Sequence, residues 1–447
     1  MSTTTPRTAT AATLLAASTL TVMAPTIVAP ALPSIARTFS DAPSAEVLVP
    51  LVLTLPALVI AVTASLVGVM VDRRGRRPVL VGGIVLYGLA GGTGLVVGSL
   101  PALLAGRVGL GLAVAMVLTA VTTVIGDLYT GVERSRMLSR QAAAMGVSGT
   151  VFTVTSGVLA AVSWRWSFLL YPLAWLLLPA VLRAIPGPSR RQQSRQAGVE
   201  VGGDGEGDGE GDGGGDGEGD GEVPDDGTSP VTGPGTVTSF GSPPESPPPI
   251  ARAALVVVVV SILLLMGVQV LFYLLPVQLP FVLEEVFGLG PARTGLLVAM
   301  PPLAYAGASL LATRFATDRR RASVVAGACA VTGIGYLAIG TATALWAVAV
   351  GLVIGGAGLG LIVPNLVAWV AQAAPVHLRG RLVGLMTSAL FLGQFVSPLV
   401  WNPVVTALGR QDALVVAAAT LLAATPLALA TDAVRRVRGP RTTPDTT

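Results

Sequence analysis

The sequence predicts an all-α membrane protein whose twelve transmembrane helices form two six-helix halves. Of its 447 residues 52% are hydrophobic and only 12% are charged, and its mean hydropathy is +0.74. These values lie outside the range of soluble globular domains. Twelve apolar runs are each long enough to cross a hydrocarbon core of about 30 Å. A long polar interruption after the sixth run separates the halves.

The twelve apolar runs are separated by polar connectors that are mostly short. Glycine and proline interrupt many of the runs, which membrane helices tolerate because neighbouring helices satisfy the freed backbone groups. The predicted spans lie at roughly 11–35, 47–70, 79–99, 101–123, 141–162, 166–184, 253–275, 292–313, 323–341, 345–371, 382–404 and 412–431.

The spans divide the chain into two helical bundles, a linker and two tails. Each bundle holds six spans and all of the apolar material needed for a core. The predicted boundaries are 1–10 for the N-terminal tail, 11–185 for the first bundle, 186–250 for the linker, 251–432 for the second bundle and 433–447 for the C-terminal tail.

The linker, 186–250, is acidic and rich in glycine and proline. Residues 203–222 form near-perfect Gly-Asp and Gly-Glu repeats, and 12 of the 24 acidic residues fall within 200–226. Because glycine disfavours a fixed conformation and like charges repel, we expect this segment to be disordered. The repeat lacks the nine-residue period and the apolar positions of a calcium-binding β-roll.

The placement of arginine predicts the orientation in the membrane. All 28 basic residues are arginines, and 23 of them fall in segments on one side of the predicted membrane. The opposite loops contain four, namely Arg37, Arg165, Arg293 and Arg410, while Arg107 lies inside a span. By the positive-inside rule both termini and the linker are cytoplasmic, as in a multi-pass protein of the cell membrane.

Residue usage gives no sign of catalysis or of metal binding. The single cysteine, Cys329, excludes an intramolecular disulfide, and the single histidine cannot form a His/Cys cluster. No nucleophile–base constellation is evident. We therefore expect no enzyme activity, no cofactor, no metal and no nucleic-acid partner.

The connector after the second span has a distinctive pattern. It runs from Gly68 through Asp72, Arg73 and Gly75 to Arg77, and a weaker echo around Asp318 follows the eighth span. Gly-x-x-x-Asp-Arg-x-Gly-Arg-Arg at this place resembles the signature of the major facilitator superfamily of secondary transporters. The resemblance covers nearly the whole chain apart from the linker and tails. It implies two six-helix repeats with a binding site where they meet near the midplane.

The resemblance also implies a conformational switch. Gly68 would let a neighbouring helix approach closely, and Asp72 would face the start of the eleventh helix, near Arg379 and Arg381. The dipole of that helix favours a negative charge. This contact would hold one conformation and break in the other, although the arginines could also act only as a topological anchor. The other residues assigned to the switch are Arg73, Gly75, Arg76 and Asp318.

Several residues inside the spans are candidates for the substrate or proton pathway. Arg107 lies about seven residues inside the fourth span, where a charge costs on the order of 2.5–3.5 kcal/mol and usually faces a cavity. The alternative is that it snorkels to the outer surface. The polar candidates could equally be helix–helix hydrogen-bonding groups. They are Thr26, Gln269, Tyr273, Asn365 and Gln394.

Some stretches resemble bacterial drug-efflux members of the superfamily, but the fifth span departs from that type. Gly149 and Gly157 stand at the expected places of an antiporter motif, whereas its Gly-Pro pair is replaced by Thr153-Val154. The first span, with Pro25 and Pro30, is similar to that of efflux-type relatives. The match therefore supports efflux less strongly than it supports the fold.

Together these features predict a secondary transporter that works by alternating access. We expect it to export small amphiphilic, drug-like compounds, coupled to a proton gradient. No span has Asp or Glu near its centre, so the carboxylate for such coupling is not identified. The alternatives are an importer or metabolite exporter of the same fold, and a non-transporting receptor or scaffold. The expected partners are a small-molecule substrate and the lipid bilayer, and the expected state is a monomer.

Overall fold

The computed structural model describes residues 4–185, 252–315, 321–373 and 379–437. All regular secondary structure in these ranges is helical, which confirms the all-α fold class. The predicted linker, 186–250, and Asp318 lie outside the described residues, and so do the side chains of Arg379 and Arg381. What the sequence predicts for them stays a prediction.

The first half consists of six membrane helices, α1 to α6. Helices α1 and α6 are interrupted by 3₁₀ turns, and prolines occur at or beside these interruptions. The bounds are Thr4–Thr26 with Leu32–Thr38 (α1), Ala45–Arg74 (α2), Arg76–Gly92 (α3), Leu100–Leu128 (α4), Gly131–Val162 (α5), and Trp164–Ser167 with Leu178–Ala184 (α6).

The second half repeats this arrangement in α7 to α12. Helix α7 breaks at Tyr273 and α8 at Ala299. The bounds are Arg252–Phe272 with Leu274–Glu285 (α7), Pro291–Val298 with Met300–Phe315 (α8), Arg321–Gly340 (α9), Leu345–Ala373 (α10), Arg379–Leu408 (α11) and Arg410–Val437 (α12).

Most of these helices can cross a membrane by length and composition. Within the described residues ten helices meet that criterion. The other two, α8 and α12, coincide with the predicted spans at roughly 292–313 and 412–431. The twelve predicted spans thus correspond one to one with the twelve helices.

A buried tyrosine makes the same contact in each half. Tyr87 of α3 donates a hydrogen bond to the carbonyl of Leu20 in α1 at 2.8 Å. Tyr336 of α9 donates to the carbonyl of Leu271 in α7 at 3.0 Å. The third helix of each half therefore holds the first helix in the same way, as two six-helix repeats require.

The loops fall on two sides of the bundle. The arginine-rich side contains the α2–α3 connection, with Arg73, Arg74, Arg76 and Arg77, and the start of α5. The opposite side contains the loops that follow α1, α3, α5, α7, α9 and α11.

Candidate functional site

A cavity of about 360 Å³ lies between the two halves. Helices α1 and α5 form its wall on the first half, and α7, α8, α10 and α11 form its wall on the second half. The wall is mostly apolar and includes several prolines. Representative lining residues are Pro25, Met145, Phe272, Pro276, Pro302 and Leu390.

The cavity brings together four of the five polar residues that the sequence suggested. Thr26, Gln269, Tyr273 and Gln394 all line it. Asn365 does not: it is buried, and its Nδ2 donates to the carbonyl of Leu361 in its own helix at 2.7 Å.

Two further polar residues of the cavity were not predicted from the sequence. Thr153 and Tyr305 also line the cavity. Thr153 had been considered only as a replacement within a motif. Tyr305 lies in a stretch with three prolines or glycines nearby, and no spacing rule set it apart from other span residues.

The break in α1 shapes the cavity wall of the first half. Pro25 and Pro30 have no backbone N–H to donate, and they lie just before and within the interruption of α1 between Thr26 and Leu32. The hydroxyl of Tyr171 donates to the freed carbonyl of Ala24 at 2.7 Å, and the hydroxyl of Ser156 donates to that of Ile27. These bonds fix the segment that presents Pro25 and its neighbours to the cavity.

The break in α7 is satisfied in a similar way. The side chains of Ser397 and Trp401 in α11 both donate to the carbonyl of Val270, at 2.7 and 3.1 Å. Tyr336 of α9 donates to the next carbonyl, that of Leu271. The break places Phe272 and Tyr273 at the cavity.

Arg107 does not face the cavity, which corrects the expectation from the sequence. It is fully buried inside the first half and neither lines the cavity nor snorkels to the surface. Its NH1 donates to the hydroxyl of Tyr171 at 3.0 Å, and its NH2 donates to the carbonyl of Gly91 at 2.9 Å. The guanidinium carbon also lies 4.9 Å from the centre of the Phe168 ring. Its face of α4 is turned towards α3 and α6, and the sequence did not reveal this.

Arg107 is connected to the cavity wall through the hydroxyl of Tyr171. The Tyr171 hydroxyl accepts from the guanidinium and donates to Ala24, next to cavity-lining Pro25. Hydrogen bonds to charged groups contribute about 1.5–3 kcal/mol, more than neutral ones. The arrangement makes Arg107 a positioning residue for the break in α1.

Replacing Tyr171 with phenylalanine is expected to lower the free energy of unfolding by about 1–3 kcal/mol, because the buried carbonyl of Ala24 loses its partner. Thermal unfolding of the purified protein measures this. The matched control is Tyr129→Phe, since the Tyr129 hydroxyl makes no hydrogen bond within the described residues. Equal stability of the two variants would contradict the assignment.

The described residues of the predicted switch lie at the arginine-rich side. Asp72 lies in the last turn of α2, and Gly75 connects α2 to α3 with a φ of 87°, which favours glycine. Arg76 pairs with Asp127 of α4 at 2.8 Å, within the same half. Among the described residues nothing lies within 4 Å of the Cβ that Gly68 would have. The close helix approach expected at Gly68 involves the start of α11, whose side chains lie outside the described residues, so it stays a prediction.

On the opposite side two polar contacts hold the halves together. Arg37 of α1 forms an ion pair with Glu284 of α7. The amide of Asn402 in α11 donates to the backbone carbonyl of Glu46 in α2 at 3.1 Å. Both contacts join the first half to the second half.

Deeper in the bundle, α5 and α8 touch through glycines. A Cβ on Gly157 would lie 2.7 Å from the carbonyl oxygen of Pro291 and 2.9 Å from Cα of Gly295. Both distances are shorter than real Cβ contacts, so only glycine allows this approach. We call this contact, together with Arg37–Glu284 and Asn402–Glu46, the opposite-side seal. In the sequence Gly157 is recognisable only as part of a motif, and the contacts between the halves were not predicted.

Two hydrogen bonds join α2 to α11. One is the bond from Asn402 to Glu46 described above. In the other, the hydroxyl of Ser388 in α11 donates to the carbonyl of Ala61 in α2 at 3.4 Å. Gly68 lies about two turns further along α2, where nothing described approaches it. The described contacts thus join the two halves on the opposite side of the cavity.

The match to a family model decides the family. The model described as Major Facilitator Superfamily matches residues 14–398, most of the chain. The chain belongs to the Major Facilitator Superfamily. No curated protein sequence matches it significantly.

Solved structures of other Major Facilitator Superfamily transporters share the fold at low sequence identity. The human organic anion transporter MFSD10 (TETRAN) is 17% identical with a TM-score of 0.61, and the match covers 95% of this chain and 99% of that one. A D-xylose-proton symporter is 14% identical with a TM-score of 0.64, covering 93% and 96%. A bacterial homolog of the human lysosomal transporter Spinster, inward-facing and unoccupied, is 14% identical with a TM-score of 0.64, covering 97% and 96%. At these identities the similarity shows the fold alone.

Proposed function

We propose that this Major Facilitator Superfamily protein exports small, uncharged amphiphilic compounds across the cell membrane by alternating access. The observation that supports this most is the cavity between the halves, closed by the opposite-side seal. Its lining is mostly apolar, with a few amide and hydroxyl groups. Ligand sites of this kind bury an apolar body and orient it with a small number of polar contacts.

The chemistry of the cavity disfavours charged and highly hydroxylated substrates. No described residue that lines it is Asp, Glu or Arg. A buried charge without a partner is costly, and a sugar would leave most of its hydroxyls without hydrogen bonds. Although a D-xylose-proton symporter shares the fold, the cavity offers little support for a sugar in this chain.

The direction of transport follows from the orientation in the membrane. The arginine-rich side fits the cytoplasm by the positive-inside rule, and the cavity would then load from that side. Coupling to a proton gradient, which the resemblance suggested, gains no support from the cavity because no described carboxylate lines it. The proposal therefore concerns the carrier cycle and the substrate class.

Counterflow in proteoliposomes tests the proposal without requiring knowledge of the coupling ion. Liposomes containing the purified full-length protein are loaded with unlabelled chloramphenicol, a neutral amphiphile, and diluted into radiolabelled compound. We expect a transient accumulation of label that protein-free liposomes do not show. Tetraphenylphosphonium and D-xylose, tested in the same way, should give no accumulation. Accumulation of the cation or the sugar but not of the neutral compound would contradict the substrate class.

A further inference from the structure

The polar groups of the cavity are distributed unequally between its two walls. On the first half, Thr26 donates to the carbonyl of Val22 at 3.0 Å and Thr153 donates to that of Gly149 at 2.7 Å. Both hydroxyls are thus bonded to their own helices. The rest of that wall is apolar, as at Pro25. The first half therefore offers a ligand an almost purely apolar surface.

The second half presents two amide side chains with no partner. Gln269 of α7 and Gln394 of α11 line the cavity with relative exposures of only 5% and 8%. Neither amide makes a hydrogen bond to any part of the chain that the structure describes. Tyr273, one turn beyond Gln269, also lines this wall.

The two glutamines lie close to one another. A Cβ on Gly393, the residue before Gln394, would lie 2.8 Å from Cβ of Gln269. Glycine at this position therefore allows α11 to pack directly against α7 where the amides emerge. Both amides line the cavity beside this helix contact, and we call them the glutamine pair.

A buried amide without a partner costs about 1–3 kcal/mol, so buried polar groups usually have one. Each glutamine amide offers both an acceptor oxygen and two N–H donors. A ligand that matches the pair must itself supply an acceptor and a donor close together. It must also be neutral, because no described charged residue lines the cavity to balance a charge.

We propose that the glutamine pair, Gln269 and Gln394, binds a neutral carboxamide or lactam group of the substrate. The apolar body of the same molecule lies against α1 and α5, at Pro25 and Met145. This inference rests on the proposed function, since it assumes that the cavity is the substrate site. It fixes both the polar group of the substrate and the direction in which the molecule lies.

Three probes with the same apolar body test the inference by calorimetric titration of the purified full-length protein. They are naphthalene-2-carboxamide, methyl 2-naphthoate, which has no donor, and 2-naphthoate, which is charged. We expect the carboxamide to bind most tightly. Gln269→Leu and Gln394→Leu should each weaken carboxamide binding roughly three- to tenfold, the equivalent of one hydrogen bond, and change ester binding little.

Gln411→Leu is the matched control, because its amide donates to the carbonyl of Ala342 at 3.2 Å, away from the cavity. It should bind the carboxamide like the unmodified protein. Binding of the carboxamide no tighter than the ester would overturn the inference, and this comparison needs no variant to fold. Equal carboxamide affinity in Gln394→Leu, Gln269→Leu and the control would also overturn it.

The binding experiment on the glutamine pair and the counterflow experiment on transport can fail independently of each other. Glutamine-dependent carboxamide binding without any counterflow would reject transport and keep the binding site. Counterflow of chloramphenicol together with glutamine-independent carboxamide binding would keep transport and reject the glutamine pair.

Discussion

Replacing Gly157 with valine is expected to abolish counterflow while leaving each half folded. A Cβ at this position would lie 2.7 Å from the Pro291 carbonyl oxygen and 2.9 Å from Cα of Gly295, and valine adds two further methyl groups. The neighbouring atoms belong to the backbone of α8 and cannot move aside as a side chain could. The opposite-side seal cannot then close, so the protein loses the conformation described here and its transport cycle stops.

Labelling of a cavity cysteine measures this effect directly. Cys329, the sole cysteine, is first replaced with alanine, and Thr26→Cys is introduced in the cavity. In the Gly157→Val background an impermeant thiol reagent added from the opposite side should label this cysteine faster. Gly98→Val is the matched control, because nothing described lies within 4 Å of its Cβ position. Normal counterflow in Gly157→Val would refute the role of the seal.

Replacing Asp72 with asparagine is expected to reduce the counterflow rate roughly ten- to thirtyfold and to preserve ligand binding. A carboxylate near a helix N-terminus contributes up to about 2 kcal/mol in a partly buried geometry, which corresponds to that factor. Asp72 lies in the last turn of α2, and α11 begins at Arg379 on the same side. We propose that contact between these ends stabilises one state of the transport cycle, and that asparagine removes the charge on which this contact depends.

Asp127→Asn is the control for this variant. It also removes a carboxylate from the arginine-rich side, but its partner, Arg76, belongs to the same half. The pair is partly exposed, and exposed ion pairs contribute little to stability. Counterflow should therefore stay near the unmodified rate. If Asp72→Asn transports as fast as Asp127→Asn, the switch assignment fails.

The sequence predicted the helices well because each membrane span requires a continuous run of apolar residues, which is a strong local signal. About twenty apolar residues are needed for each span, and polar connectors interrupt them at the right intervals. The two halves were predicted because six such runs lie on each side of the long polar linker. Four cavity residues were also predicted, since polar side chains such as Gln269 and Gln394 are few in the spans.

The direction in which a side chain points could not be predicted in the same way. Arg107 and Asn365 are polar residues inside spans like the others, yet neither lines the cavity. Their direction depends on how each helix is rotated against its neighbours, and this is a property of tertiary packing. Tyr171 was missed for a related reason. The prolines near Ala24 do signal carbonyls in need of partners, but they do not say which distant helix supplies them.

The broken helices α1 and α7 have a consequence for the rate at which the protein changes state. The partners of the carbonyls of Ala24 and Ile27 come from the first half, and the partners of those of Val270 and Leu271 come from the second half. Moving the halves as rigid bodies therefore disrupts none of these bonds. The activation barrier therefore does not include the cost of leaving these buried carbonyls without hydrogen-bond partners, which is about 1–3 kcal/mol each. Thermal energy has to release only the contacts between the halves.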